Sequence, residues 1–154
     1  MPELDQPEPK SPPPSSADPE SDDCVFLTCF TLDFNFLSTL LRYSGLRLRR
    51  AQTLEQADFL LTVTGATVLL CDAMFLDGSW RDCAKMLADL HPQVSLLILA
   101  NEVDVPVVQE ALDQGAYGVS WKPLRLQQMH ALIFSARESS ADRMNLRAHS
   151  ETVL

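Results

Sequence analysis

The chain is poor in glycine, cysteine and positive charge, and each shortage closes off a class of function. Its five glycines form no G-x-G-x-x-G and no P-loop, so the backbone cradle that dinucleotides and nucleotide phosphates require is missing. Cys24, Cys29, Cys71 and Cys83 make no C-x-x-C pair and no zinc spacing with His91, His130 and His149, which leaves them as reduced packing residues. Twelve Lys and Arg stand against 21 Asp and Glu, a net charge of −9. Met1 to Asp23 hold seven of those acids against Lys10 alone, a net −6, and neither that stretch nor the remainder offers the basic face that nucleic acid requires. No run reaches the roughly 18 apolar residues needed to cross a bilayer. The first thirty residues also lack the basic and apolar regions of a signal peptide. A cytoplasmic protein with no nucleic-acid and no membrane partner is expected.

What is present suffices for one core: 46% of 154 residues are hydrophobic. Residues 1–23 carry seven of the ten prolines with serines and acids, and are expected to be a disordered leader, since they bury too little apolar surface to offset ordering entropy. Its Pro12 to Pro14 run is of the kind that docks in proline-recognising grooves. Beyond it the chain alternates. Cys24 to Phe30 reads as a strand, with Thr31 as a helix cap before Phe36, Leu37, Leu40 and Leu41 at helical spacing. Leu46 to Arg50 alternates apolar and basic, as on an edge strand, and Thr53 opens a helix through Leu61. Val68 to Asp72 is a short apolar run of the type buried on both faces. A helix from Ser79 to Leu90 follows, with Trp80, Cys83, Leu87 and Leu90 on one stripe, then a strand at Val94 to Ala100. Asp104 and Pro106 start a helix with Val107, Val108, Ala111 and Leu112 inward, and Gly115 caps it. Tyr117 to Trp121 is a fifth strand, and Leu126, Met129, Leu132, Ile133 and Ala136 stripe a last helix.

Five strands alternating with five helices imply a parallel sheet covered on both faces, an α/β doubly wound, flavodoxin-like (βα)5 fold of strand order 2-1-3-4-5. In that order Asp72, ending the third strand, and Lys122, following the fifth, overhang one crevice beyond the carboxyl ends of the strands, where ligands gather in such sheets. An ammonium there favours an ionised carboxylate and would clamp an anionic group on it. The plain alternative is a structural ion pair.

Asp72, Met74, Leu76-Asp77-Gly78-Ser79, Gly115-Ala116 and Lys122-Pro123 together resemble the receiver domain of bacterial response regulators, in a degenerate form, over residues 24–137. The resemblance implies that Asp72 accepts a phosphoryl group from a histidine kinase or phosphotransfer protein, that Lys122 contacts the acyl phosphate, and that Pro123 follows a cis bond. It also implies a magnesium ion held by Asp72, the Met74 carbonyl and an acidic pair closing the first strand. At the pair's expected place stand Cys29 and Phe30, which cannot supply the hard oxygens magnesium takes. Asp33 is nearby, but reaching the site from there would need an insertion, and its ordinary role is an acid in a helix's first turn. The hydroxyl after the fourth strand is Ala100, the switch aromatic is Val119, and the loop proline and second glycine are Leu76 and Trp80.

Two functions follow. One is a stand-alone receiver phosphorylated on Asp72 that acts through a downstream protein partner by the fifth strand and last two helices. The other is a pseudo-receiver, an adaptor or homodimerisation module independent of phosphorylation. Neither is an enzyme. Residues 138–154 are expected as a tail or extension of the last helix, and Thr152-Val153-Leu154 matches a PDZ-binding terminus. His130 is expected at the surface or its boundary, and Trp80 and Trp121 in packing roles.

Overall fold

The structure, a computed structural model, describes residues 17–18, 20–101 and 105–153. Pro12 to Pro14, Asp104 and Leu154 lie outside them. The chain runs β1 (Asp23–Leu27), α1 (Thr31–Tyr43), β2 (Arg47–Ala51), α2 (Leu54–Thr64), β3 (Val68–Asp72), a two-stranded hairpin of β4 (Met74–Phe75) and β5 (Gly78–Ser79), α3 (Trp80–Leu90), β6 (Ser95–Ala100), α4 (Val105–Asp113), β7 (Gly118–Trp121) and α5 (Leu126–Val153). The main sheet has the order β2-β1-β3-β6-β7, parallel throughout. Counted over those five strands alone, this is the expected 2-1-3-4-5.

Strand side chains alternate between two cores. Val25, Leu27, Leu69, Cys71, Leu96 and Ile98 face α2, α3 and α4, where Leu61, Cys83, Leu87 and Ala111 meet them. Cys24, Phe26, Leu70, Leu97 and Leu99 face the opposite way, against Leu37 and Leu41 of α1 and Met129 and Ile133 of α5. Both faces being covered is why these strands read as continuous apolar runs. Each leucine so enclosed contributes about 1.5–3 kcal/mol relative to exposure.

Local signals start and stop the helices. Thr53 accepts from the Gln56 N–H at the head of α2, and Gly65 ends that helix at φ 71°, a left-handed conformation favouring glycine. Ser79 and Asp82 form a reciprocal capping box on α3, with the Ser79 N–H donating to Asp82 Oδ2 at 2.9 Å. Gly78 makes room for it, since a Cβ there would lie 2.5 Å from that same oxygen.

Several expected boundaries and faces move. β1 ends at Leu27 rather than Phe30, because the buried Thr28 hydroxyl accepts from the Phe30 N–H at 3.0 Å and closes a turn. Thr31 is the first helical residue, not the cap, and its hydroxyl accepts from Arg50. Phe36, Leu90, Leu112 and Leu126 are exposed, not inward. For helices that pack on a sheet by one narrow stripe, apolar spacing alone does not say where the stripe ends. Cys29 is exposed, whereas Cys24, Cys71 and Cys83 are buried, and burial pushes the Cys24 thiol up to about 12. Trp80 is buried, and the exposed His130 contacts Ser44 Oγ through Nε2 at 2.8 Å.

The chain is fastened on both sides of the residue 24–137 span. Before β1, the Ser21 hydroxyl donates to the Thr64 carbonyl, and Asp23, inside the strand, pairs with Arg49 at 2.9 Å. After residue 137, α5 continues without a break to Val153. The Ser140 hydroxyl, fully buried, donates to the Thr67 carbonyl at 2.9 Å and meets Ser95 Oγ at 2.7 Å. Arg143 donates to Ser95 Oγ and the Gln93 carbonyl at 2.9 and 3.1 Å. Among the described residues no helix is long and apolar enough to cross a membrane.

Candidate functional site

Four elements converge at the carboxyl edge of the sheet. β3 delivers Asp72 between β1 and β6, so the residue is only 2% exposed. The turn after β1 supplies Thr28, whose hydroxyl donates to Asp72 Oδ2 at 2.5 Å. The end of β7 supplies Lys122, whose Nζ is 3.0 Å from Asp72 Oδ1. That contact is an ion pair without hydrogen-bond alignment, so Oδ1 keeps no aligned donor. The first turn of α1 supplies Asp33, with Oδ2 2.7 Å from the same Nζ. Helical side chains lean toward the N-terminus of their helix, which brings Asp33 over the crevice. Phe30 closes another side, the ammonium lying 4.4 Å from its ring centroid. The Lys122–Pro123 bond is cis.

The electrostatics follow from burial. Dehydration lifts the Asp72 carboxyl above its ordinary value, against the opposing pull of the Thr28 hydroxyl and of Lys122, and the charge of Asp33 adds to the lift. Dehydration also works against the Lys122 ammonium, but Asp33 and Asp72 outweigh it and hold the amine above its ordinary value. The lysine is therefore the firmly charged member, and Asp72 the one whose charge is least well solvated.

The structure thus brings Asp72 and Lys122 together as expected and adds two residues. Asp33 reaches the site with no insertion, because β1 stops early and α1 begins directly above the crevice. The β1-side residue that meets Asp72 is Thr28, one position before the expected Cys29 and Phe30. A polar residue immediately after an apolar strand was the signal for Thr28; nothing local marked Asp33. Asp77 lies apart, accepting from the Leu54 N–H at the start of α2. Ala100 has no hydroxyl to offer the crevice, and its carbonyl accepts from the Lys122 N–H at 2.7 Å.

A magnesium ion does not fit this donor set. It takes about six hard oxygens in near-octahedral geometry, and here one Asp72 oxygen is held by Thr28, the other faces Lys122, and Asp33 is paired to the same lysine. Among the described residues no group of three His, Cys, Asp or Glu side chains could hold a metal ion.

No family model matches the sequence, and none of the curated proteins compared with it does. Solved structures do match in fold. The beryllofluoride-activated NtrC4 receiver domain dimer aligns with a TM-score of 0.72 at 19% identity, over 77% of this chain and 98% of its own. A CheY-like response regulator receiver domain protein from Methanospirillum hungatei JF-1 aligns at 0.70 and 13% identity, over 79% and 97%. NtrX from Brucella abortus, solved with ATP, aligns at 0.74 and 14% identity over 81% of this chain, which spans only 29% of that longer protein. The chain has the fold of response regulator receiver domains.

Proposed function

We propose that this chain is a receiver-type signalling module, not an enzyme, that acts by protein–protein contact and holds Asp72 as a structural centre independent of phosphorylation. The observation that carries this reading is the engagement of the carboxylate itself: one oxygen takes the Thr28 hydroxyl, and the other faces an ammonium already shared with Asp33. Phosphoryl transfer depends on positioning and charge neutralisation, most of it from metal ions, and both carboxylates at this site are already engaged by Lys122 and Thr28. The relay outward is thinned as well. The Ala100 side chain has no hydroxyl to donate, and Val119 is half-buried beside the α3 and α4 core. Exposed Phe36, Tyr43 and Leu126 line a groove of about 660 Å³ between α1 and α5, apolar surface that supports an output through protein contact, with a partner or with a second copy of the chain.

The 3.0 Å approach of Lys122 to Asp72 favours a second reading, in which Asp72 accepts a phosphoryl group from a histidine kinase or phosphotransfer protein. Incubation with acetyl phosphate and magnesium, read by intact mass, separates the two. The first reading expects no adduct. An adduct that disappears in Asp72→Asn establishes the second.

A further inference from the structure

We propose that the Lys122 ammonium is the resident cation of this centre, standing in for a divalent ion, and that Asp33 is the positioning residue that keeps it there. The inference deepens the phosphorylation-independent reading and rests on it. Lys122 lies between two carboxylates drawn from different elements, Asp33 of α1 at 2.7 Å and Asp72 of β3 at 3.0 Å. Its side chain is 12% exposed and that of Asp72 3%, so both charges are largely withdrawn from water and their attraction is weakly screened. The Phe30 ring presents its face to the ammonium 4.4 Å away, a favourable wall for a cation and a useless one for a metal, which needs oxygen there. Thr28 completes the set by donating to the far Asp72 oxygen.

A divalent ion entering this space would have to displace the ammonium, break the Asp33 pair, and find oxygen donors where a phenyl ring stands. Asp33, 29% exposed, faces the solvent side, where water disperses the one unit of negative charge left by two carboxylates and one ammonium. The head of α1, the end of β3 and the end of β7 are thereby tied at one point by the chain's own charge. The register of these elements is then set without magnesium or phosphate, and a partner reading that edge meets the same surface whether or not either is present.

The test uses the full chain in two arms. In the first, magnesium chloride is titrated into the millimolar range while the fluorescence of Trp121, beside Lys122, and of Trp80 is followed together with thermal melting. No saturable change is expected, and EDTA leaves both signals as they were. In the second, reductive methylation of lysines is mapped by peptide mass spectrometry in the wild type, Asp33→Asn and Asp33→Glu. Lys122 is expected to be protected in the wild type, labelled several-fold faster in Asp33→Asn, and largely protected again in Asp33→Glu. A saturable magnesium response of the wild type, or Lys122 labelling indifferent to Asp33→Asn, overturns the proposal. Neither result depends on a phosphoryl adduct, so failure here and failure of the phosphorylation-independent reading remain distinguishable.

Discussion

At the carboxyl edge of the sheet, Asp72 shares one ammonium with Asp33 and keeps an oxygen without an aligned donor, whereas at the amino edge Ser95, Ser140 and Arg143 tie hydroxyls and backbone carbonyls into a mutually satisfied cluster. Both edges bury polar side chains, which costs stability unless hydrogen bonds replace the lost water. The Ser95–Ser140–Arg143 cluster meets that requirement with two neutral hydroxyls, backbone carbonyls and one arginine, so its contribution is steady across the carboxylate and imidazole pH range. The carboxyl edge meets it with charge, so its stability depends on every partner being present and in the right protonation state. Functional centres in α/β sheets lie beyond the carboxyl ends of the strands, and that edge is where two carboxylates share a single largely buried ammonium.

The sharpest way to break the contrast is Lys122→Met, which leaves two neighbouring carboxylates without their cation. Removing one partner of a buried ion pair costs about 3–5 kcal/mol, and with Asp33 partly exposed a loss of about 3 kcal/mol is expected in urea unfolding at neutral pH. Thr28→Val keeps the shape but withdraws the donor from Asp72 Oδ2. A hydrogen bond to a charged group is worth about 1.5–3 kcal/mol, so a drop of about 2 kcal/mol is expected by the same measurement. Ser140→Ala at the other edge removes a neutral hydroxyl bond to the Thr67 carbonyl. Calorimetry should show a smaller loss, about 1 kcal/mol, unchanged between pH 5 and pH 8.

Asp72→Asn has the smallest effect and the opposite sign. Asn retains an acceptor for Thr28, Lys122 retains Asp33, and the poorly solvated carboxylate is gone. Because the folded-state pKa of Asp72 is raised above its unfolded value, its ionisation weakens the fold as pH climbs through the carboxylate range. Below the unfolded value both states are protonated and the penalty vanishes. Melting curves should therefore place Asp72→Asn slightly above the wild type at neutral pH, by no more than about 1 kcal/mol, and the gap should close on acidification below pH 4. A wild type that instead gains on the variant as pH rises would show that Lys122 and Thr28 outweigh burial.

Much of this architecture was legible because it is written in short-range patterns. The apolar runs Val68–Leu70 and Leu96–Leu99 mark strands buried on both faces, and Thr53, Ser79 with Asp82, and Gly65 punctuate helices through hydrogen bonds or backbone angles that involve only near neighbours. Asp72 and Lys122 stood out as charges at the ends of such runs. Fine boundaries were less readable, since the turn made by the Thr28 hydroxyl shortens β1 and shifts which residue faces the crevice. Phe36 shares the helical spacing of Leu37, Leu40 and Leu41 yet is exposed, because that spacing is equally compatible with the groove wall it forms beside Tyr43 and Leu126.

By itself, then, the sequence determined the alternation of elements, the parallel doubly wound sheet and the pair of residues at its carboxyl edge, since hydrophobic periodicity and turn chemistry act within a few residues. Only the tertiary structure decided that Asp33 reaches Lys122 from α1, that Thr28 rather than Cys29 or Phe30 serves Asp72, and that Ser140 and Arg143 fasten the far end of α5. Those contacts join residues 44 to 89 positions apart. Strand order and helix placement bring them together, and no local pattern encodes which distant partner will arrive.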